Sequence, residues 1–125
     1  MAGAWVVFAG DSAVRHAFAA LLRLLSPGED LEVVVGHRDF EYVLGCNTRA
    51  SFFWRPYAAN VTSLLQQLGA EEGRRPDSLL AGVGLWHVLH VGDSRDYAEG
   101  VGRLAEAARA PPWARLPLTW ATVTA

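Results

Sequence analysis

The chain of 125 residues has a single cysteine, Cys46, which excludes an internal disulfide and leaves no cysteine cluster for zinc. Taken alone, that usage leans towards a reducing, cytosolic compartment. Eleven basic residues against thirteen acidic ones give a formal net charge of −2, and the basic residues fall singly or in pairs. There is no basic run, so an electrostatic grip on nucleic acid is not expected. No apolar segment approaches the ~18 residues needed to cross a bilayer, so no membrane span is expected. Trp5 to Gly10 is too short for the apolar region of a signal peptide, and acidic Asp11 follows it directly. No targeting segment is expected either. Repeats and low-complexity tracts are also missing.

What remains is an ordinary globular composition. About half the residues, 51%, are hydrophobic, which is enough for one domain with a real core and argues against disorder. The most telling stretch runs from Ala4 to Leu25. An apolar run, Ala4 to Phe8, stops at Gly10-Asp11-Ser12, and a helical pattern then puts Val14, Phe18, Leu21, Leu22 and Leu25 on one face. Ser12 is therefore expected at a strand-to-helix turn. Two readings compete there. Asp11 or Ser12 caps the helix by accepting a backbone N–H that would otherwise be unpaired. Alternatively, Ser12 is a nucleophile at the carboxyl end of a strand, where open α/β sheets place their sites.

Downstream, Ser26-Pro27-Gly28 is a breaker cluster. Leu31 to Val35 and Phe40 to Leu44 are short β-rich runs joined by Gly36-His37-Arg38-Asp39, which predicts a hairpin or a pair of edge strands. Arg49 to Tyr57 predicts an aromatic-rich strand ended by Pro56. A helix is expected over about Val61 to Leu68, capped by Asn60 or Thr62 and closing at Gly69. Gly73 to Asp77 reads as a surface turn, and Ser78 to Gly84 as a buried strand of the parallel kind. Gly92-Asp93-Ser94 leads into a helix to about Ala110, ended by Pro111 and Pro112, and Leu116 to Val123 supplies a last strand. This order predicts a three-layer α/β/α sandwich with a mostly parallel, flavodoxin-like sheet. Strand-like sequence continues almost to Ala125, so the expectation is a single domain over 1–125, incomplete at its C-terminal side.

Several constellations could carry chemistry. Gly10 permits the tight turn before Ser12, whose place at a helix N-terminus would give it a positive partial charge and N–H groups for an oxyanion. Arg15 stands three residues on, facing the same side as Ser12. It would either orient the motif or be a solvated helix residue. In Gly82-Val-Gly-Leu-Trp-His-Val-Leu-His90, Trp86 and His87 fall where the sheet should open, with His90 three residues further on. No third ligand of the usual kind lies near, so no metal or other cofactor is expected. The repeated tripeptide Gly92-Asp93-Ser94 is better explained as a cap. Asn60-Val61-Thr62 is an N-glycosylation sequon, relevant only in a luminal protein. No Gly-x-Gly-x-x-Gly follows the first strand, which weakens a nucleotide-binding reading.

Three blocks together carry a resemblance: Gly10-Asp11-Ser12 with Arg15, the aromatic Phe52-Phe53-Trp54-Arg55-Pro56-Tyr57, and Gly84-Leu85-Trp86-His87. Over roughly residues 4 to 97 the chain resembles the GDSL/SGNH hydrolase superfamily, in its branch of wall-polysaccharide O-acetyltransferases and related PC-esterase and Cas1p-like luminal domains. The resemblance implies an O-acetyltransferase or acetylesterase in which Ser12 forms an acyl-enzyme and its backbone N–H serves the oxyanion hole. It implies an acyl donor and a glycan acceptor as partners, and a Golgi-lumen location. Asp11 and Arg15 would support the nucleophile, and Trp54, Tyr57, Trp86 and His87 would bind substrate. The superfamily's Asp-x-x-His block, which supplies acid and base, is missing from this chain, and Trp86 replaces the Asn of the usual Gly-x-Asn block. Gly36 and Gly45 are both candidates for the second-block glycine. The alternative is a non-catalytic module that binds carbohydrate or a partner through the surface around Trp54 and Tyr57.

Overall fold

The computed structural model describes residues 3–25, 36–70, 75–83, 94–110, 113 and 118–120. Among these, the elements are β1 (Trp5–Gly10), α1 (Ser12–Leu25), β2 (Phe40–Val43), β3 (Arg49–Trp54), α2 (Ala58–Ala70), β4 (Ser78–Gly82), α3 (Ser94–Arg109) and β5 (Leu118–Trp120). A single 3₁₀ turn, Gly45–Asn47, joins β2 to β3.

The five strands form one mixed sheet in the order β2-β3-β1-β4-β5. β1 pairs in parallel with β3 and β4, and β4 in parallel with β5, whereas β2 runs antiparallel to β3 at the edge. The chain therefore winds outward from β1 in both directions. Because parallel crossovers are right-handed, winding in opposite directions puts helices on opposite faces. On one face, Val14, Phe18 and Leu22 of α1 pack on Phe40, Ala50 and Phe52, with Phe8 beside them. On the other, α2 and α3 cover Trp5, Val7, Ala9, Leu79 and Ala81. β1 is thus covered on both faces, fully on the side of α2 and α3 and partly on the side of α1, as a central strand of a three-layer α/β/α sandwich is.

Several boundaries differ from the sequence reading. Leu21 is only half-buried, and Leu25 is 50% exposed, so the apolar stripe of α1 narrows to Val14, Phe18 and Leu22. Helix α2 begins three residues early, at Ala58. Its cap is neither Asn60 nor Thr62: the Tyr57 carbonyl accepts the Val61 N–H at 3.2 Å, which makes Tyr57 the residue before the first turn. Asn60 instead reaches back, its Oδ1 accepting the Tyr57 N–H at 3.2 Å, one half of a capping box. Thr62 donates to the Ala58 carbonyl inside the helix. The turn before β4 is tied down rather than loose. Pro76 is fully buried, and Trp5 and Asp77 exchange two bonds, Trp5 N–H to the Asp77 carboxylate at 2.7 Å and Asp77 N–H to the Trp5 carbonyl at 2.8 Å. The expected strand at Leu31 to Val35 lies outside the described residues.

Candidate functional site at the carboxyl end of β1

Counted in chain order, the parallel strands β1, β3, β4 and β5 lie in space as second, first, third, fourth, the order of a doubly wound sheet. The direction of winding reverses at β1, the switch point outside whose strand ends open α/β sheets generally place their sites. Gly10-Asp11-Ser12 sits in that position. Gly10 pairs with Trp54 on one side and Gly82 on the other.

The tripeptide divides its labour. Gly10 lies at φ +155° against the β4 backbone, where any Cβ would strike the Gly82 carbonyl and stand 2.8 Å from Val14 Cγ2. Asp11 is 2% exposed; its carboxylate accepts the Ala13 N–H at 3.1 Å while its carbonyl accepts the Arg15 N–H at 3.0 Å. Those two bonds make Asp11 the N-cap of α1. Ser12 is the first helical residue, half-buried, and among the described residues its hydroxyl has no hydrogen-bond partner. Of the two capping candidates, Asp11 caps, and the Ser12 hydroxyl is not used by the helix. Ser12 also stands where the helix dipole and unpaired N–H groups favour negative charge.

Arg15, one turn along α1, does not point freely into solvent. Its Nη1 donates to the Gly36 carbonyl at 2.7 Å, and Nη2 lies 3.4 Å from His16 Nε2. Its Nε is buried and has no partner among the described residues. The bond to Gly36 places that glycine, at φ +89°, beside the first turn of α1. Gly45 lies in the 3₁₀ turn before the amino end of β3, at the opposite edge of the sheet, so of the two glycines only Gly36 is near Ser12.

Trp54 and Tyr57 both fall at this carboxyl edge, each half-buried. Trp54 does not offer a bare face, however. The imidazole of His37 lies flat on its indole, with centroids 4.2 Å apart and planes 6° from parallel. Asp39 fastens the same corner, accepting the Trp54 N–H at 2.7 Å and Arg55 Nη1 at 3.0 Å. Sequence reasoning passed over His37, treating 36–39 as a polar connection. A histidine directly after a candidate site glycine was the available signal. Trp86, His87 and His90 lie outside the described residues, as do Gly92 and Asp93.

A concavity of about 220 Å³ is lined by Asp39, Phe40, Glu41, Arg49, Ser51 and Phe53. Its polar groups serve one another. Trp5 Nε1 donates to Ser51 Oγ at 3.0 Å, Ser51 Oγ donates to Glu41 at 3.1 Å, and Arg49 pairs with the same carboxylate while its guanidinium covers the Trp5 ring at 4.2 Å. This is an internally satisfied brace on the sheet, not a set of groups awaiting a ligand. Among the described residues there is no group of three or more His, Cys, Asp or Glu that could hold a metal, and no helix long and apolar enough to cross a membrane.

Compared with known proteins, the chain is 33% identical over 103 residues to Protein ALTERED XYLOGLUCAN 9 of Arabidopsis thaliana. The match takes in 76% of this chain and 28% of that protein, so the chain spans little more than a quarter of its relative's length. No protein-family model and no solved structure matches the chain.

Proposed function

We propose that this chain carries the nucleophile half of a GDSL/SGNH-type serine acyl-transfer site that moves or removes O-acetyl groups on a wall polysaccharide, with xyloglucan the first candidate. The observation that carries the reading is the division of labour at the tripeptide. Asp11 supplies the cap, so Ser12 stands at the sheet's switch point with a hydroxyl that has no hydrogen-bond partner among the described residues. The name of the relative, which refers to xyloglucan, supports the substrate class.

In this reading Ser12 Oγ attacks the acyl carbonyl and its proton passes to a general base. The developing oxyanion meets the Ser12 N–H, with the Gly36 N–H as the second donor and Arg15 holding the Gly36 carbonyl. The leaving group departs to give the acyl-enzyme. A sugar hydroxyl then takes the acyl group in transfer, or water takes it in hydrolysis, and Ser12 is restored. Asp11 contributes by holding the turn, Trp54 and Tyr57 lie towards the acceptor, and the resemblance gives Trp86 and His87 the same role. In the superfamily that this reading invokes, the base is the His of an Asp-x-x-His block, which these 125 residues do not contain. The Golgi lumen is the matching compartment, where Asn60, exposed on α2, would be open to glycosylation.

The test is covalent labelling of the full-length protein with a fluorophosphonate. Ser12 is expected to carry the label, and Ser12→Ala to lose it together with about 10⁶-fold in kcat. An unlabelled Ser12 overturns the reading. A second reading, a glycan-binding module without catalysis, draws on Trp54 and Tyr57, which both fall at the carboxyl edge of the sheet. It expects Ser12→Ala to bind xyloglucan oligosaccharides and to function unchanged.

A further inference from the structure

The outer face of α2 carries no charge. Its exposed residues include Ala59, Asn60, Ser63, Gln66 and Gln67, while Val61, Leu64, Leu65 and Leu68 turn inward to the core. The neighbouring α3 is the contrast, with Asp96, Glu99, Arg103 and Glu106 exposed. A helix face turned to water ordinarily carries charges of both signs. That of α2 offers only amides and a hydroxyl, neutral groups suited to hydrogen-bonding sugar hydroxyls.

Asn60 lies in this face, and its two side-chain ends have different duties. Oδ1 accepts the Tyr57 N–H at 3.2 Å, whereas Nδ2 has no hydrogen-bond partner among the described residues. An N-linked sugar replaces one hydrogen of Nδ2 and leaves Oδ1 as it was, so the bond to Tyr57 survives attachment. Asn60, Val61 and Thr62 form the acceptor triplet, without proline between.

The helix hides that triplet from an enzyme that must grip both of its ends. Residues two apart on a helix do not face each other. Val61 between them is fully buried, and the Thr62 hydroxyl donates to the Ala58 carbonyl at 3.1 Å. In an extended chain the same two side chains lie on one side.

We propose that Asn60 carries an N-linked glycan, attached before α2 forms, that covers the uncharged outer face of this helix. In the transfer a bond forms between Nδ2 and the sugar C1 as C1 parts from the pyrophosphate of a lipid-linked oligosaccharide. Nδ2 gives up one proton and the lipid pyrophosphate leaves. The inference rests on the luminal compartment of the acyl-transfer reading, not on the chemistry of Ser12.

The test takes full-length protein expressed in plant cells. The peptide that contains Asn60 is analysed by mass spectrometry before and after a glycosidase that converts a glycosylated asparagine to an aspartate. A glycan is expected at Asn60, lost in Asn60→Gln and Thr62→Ala and kept in Thr62→Ser, with thermal melting as the check on folding. Thr62→Ala leaves Asn60 and its bond to Tyr57 in place, so a loss there reports the triplet itself. For the order of events, full-length protein made without glycans is given to the transferase with lipid-linked oligosaccharide, beside a peptide of residues 57–64, too short to hold a helix. The folded protein is expected to react at least about 100-fold more slowly than the peptide, since α2 must open first. Equal rates overturn the proposed order. An unmodified Asn60 in the plant-made protein overturns the proposal, and the same protein behind a cleavable signal peptide shows why. Modification there removes the luminal compartment from the acyl-transfer reading, whereas its continued absence removes the Asn60 site alone. Fluorophosphonate labelling of Ser12 reports the chemistry of that reading separately.

Discussion

The backbones of Gly10 and Gly82 run so close at the carboxyl ends of β1 and β4 that no side chain fits between them. A Cβ on Gly10 would meet the Gly82 carbonyl and lie 2.8 Å from Val14 Cγ2, at a φ of +155° that side chains rarely adopt. Gly10→Ala must therefore strain the turn and part the strands together. It is expected to destabilise the fold by about 3 kcal/mol or more, read by urea denaturation. A variant close to wild type in stability would show that the two strands have room to spare.

Asp11 supplies the cap of α1, so its removal should cost what a cap is worth. Asp11→Ala is expected to lose about 1 kcal/mol, while Asp11→Asn, which keeps an accepting oxygen, recovers most of it. Thermal melts of the two variants provide the check. Equal losses would mean that the charge, not the bond to Ala13, does the stabilising.

Phe18 anchors the face under α1. It is fully buried, with Phe8, Phe52 and Tyr42 at ring-centroid distances of 5.6, 5.8 and 6.2 Å. Phe18→Ala should cost about 3–5 kcal/mol, a large part of a small domain's whole stability. Chemical denaturation should show much of that variant unfolded in dilute buffer.

The chain of bonds from Trp5 through Ser51 to Glu41 predicts an asymmetry. Ser51→Ala leaves the buried Trp5 Nε1 without its acceptor and is expected to cost about 1–3 kcal/mol. With the acceptor already gone, adding Trp5→Phe removes the stranded donor and should recover part of that loss. A double-mutant cycle measures the coupling directly.

Arg15→Lys keeps the charge but loses the fork geometry that reaches Gly36. Hydrogen exchange should quicken across 36–39, with global stability changed by less than about 1 kcal/mol. Unaltered exchange would mean that the segment is held by Asp39 and the His37–Trp54 stack alone.

Much of the architecture was legible because it is local. The apolar run before Gly10, the stripe starting at Val14 and the apolar run starting at Ser78 each report the type of their element through spacing alone, though the stripe was read as far as Leu25, which is exposed, and the strand as far as Gly84 rather than Gly82. The start of α2 was not legible. Tyr57 caps with its carbonyl, which every residue type possesses, and Asn60 works from inside the helix rather than ahead of it. Nor could the tripeptide choose its own cap, since Asp11 and Ser12 both carry an oxygen that can accept the N–H of a first turn.

By itself, then, the sequence determined that a strand hands over to a helix at Gly10-Asp11-Ser12 and that the chain builds a layered α/β domain, because backbone periodicity and turn chemistry act over a few residues. Only the tertiary structure decided that Asp11, not Ser12, is the buried cap, that Arg15 holds Gly36, and that His37 stacks on Trp54. The members of those last two pairs stand some twenty positions apart along the chain, and the order β2-β3-β1-β4-β5 brings them to one edge. Sheet order is set by which apolar faces can be covered at once, a property of the whole core that no short stretch of sequence contains.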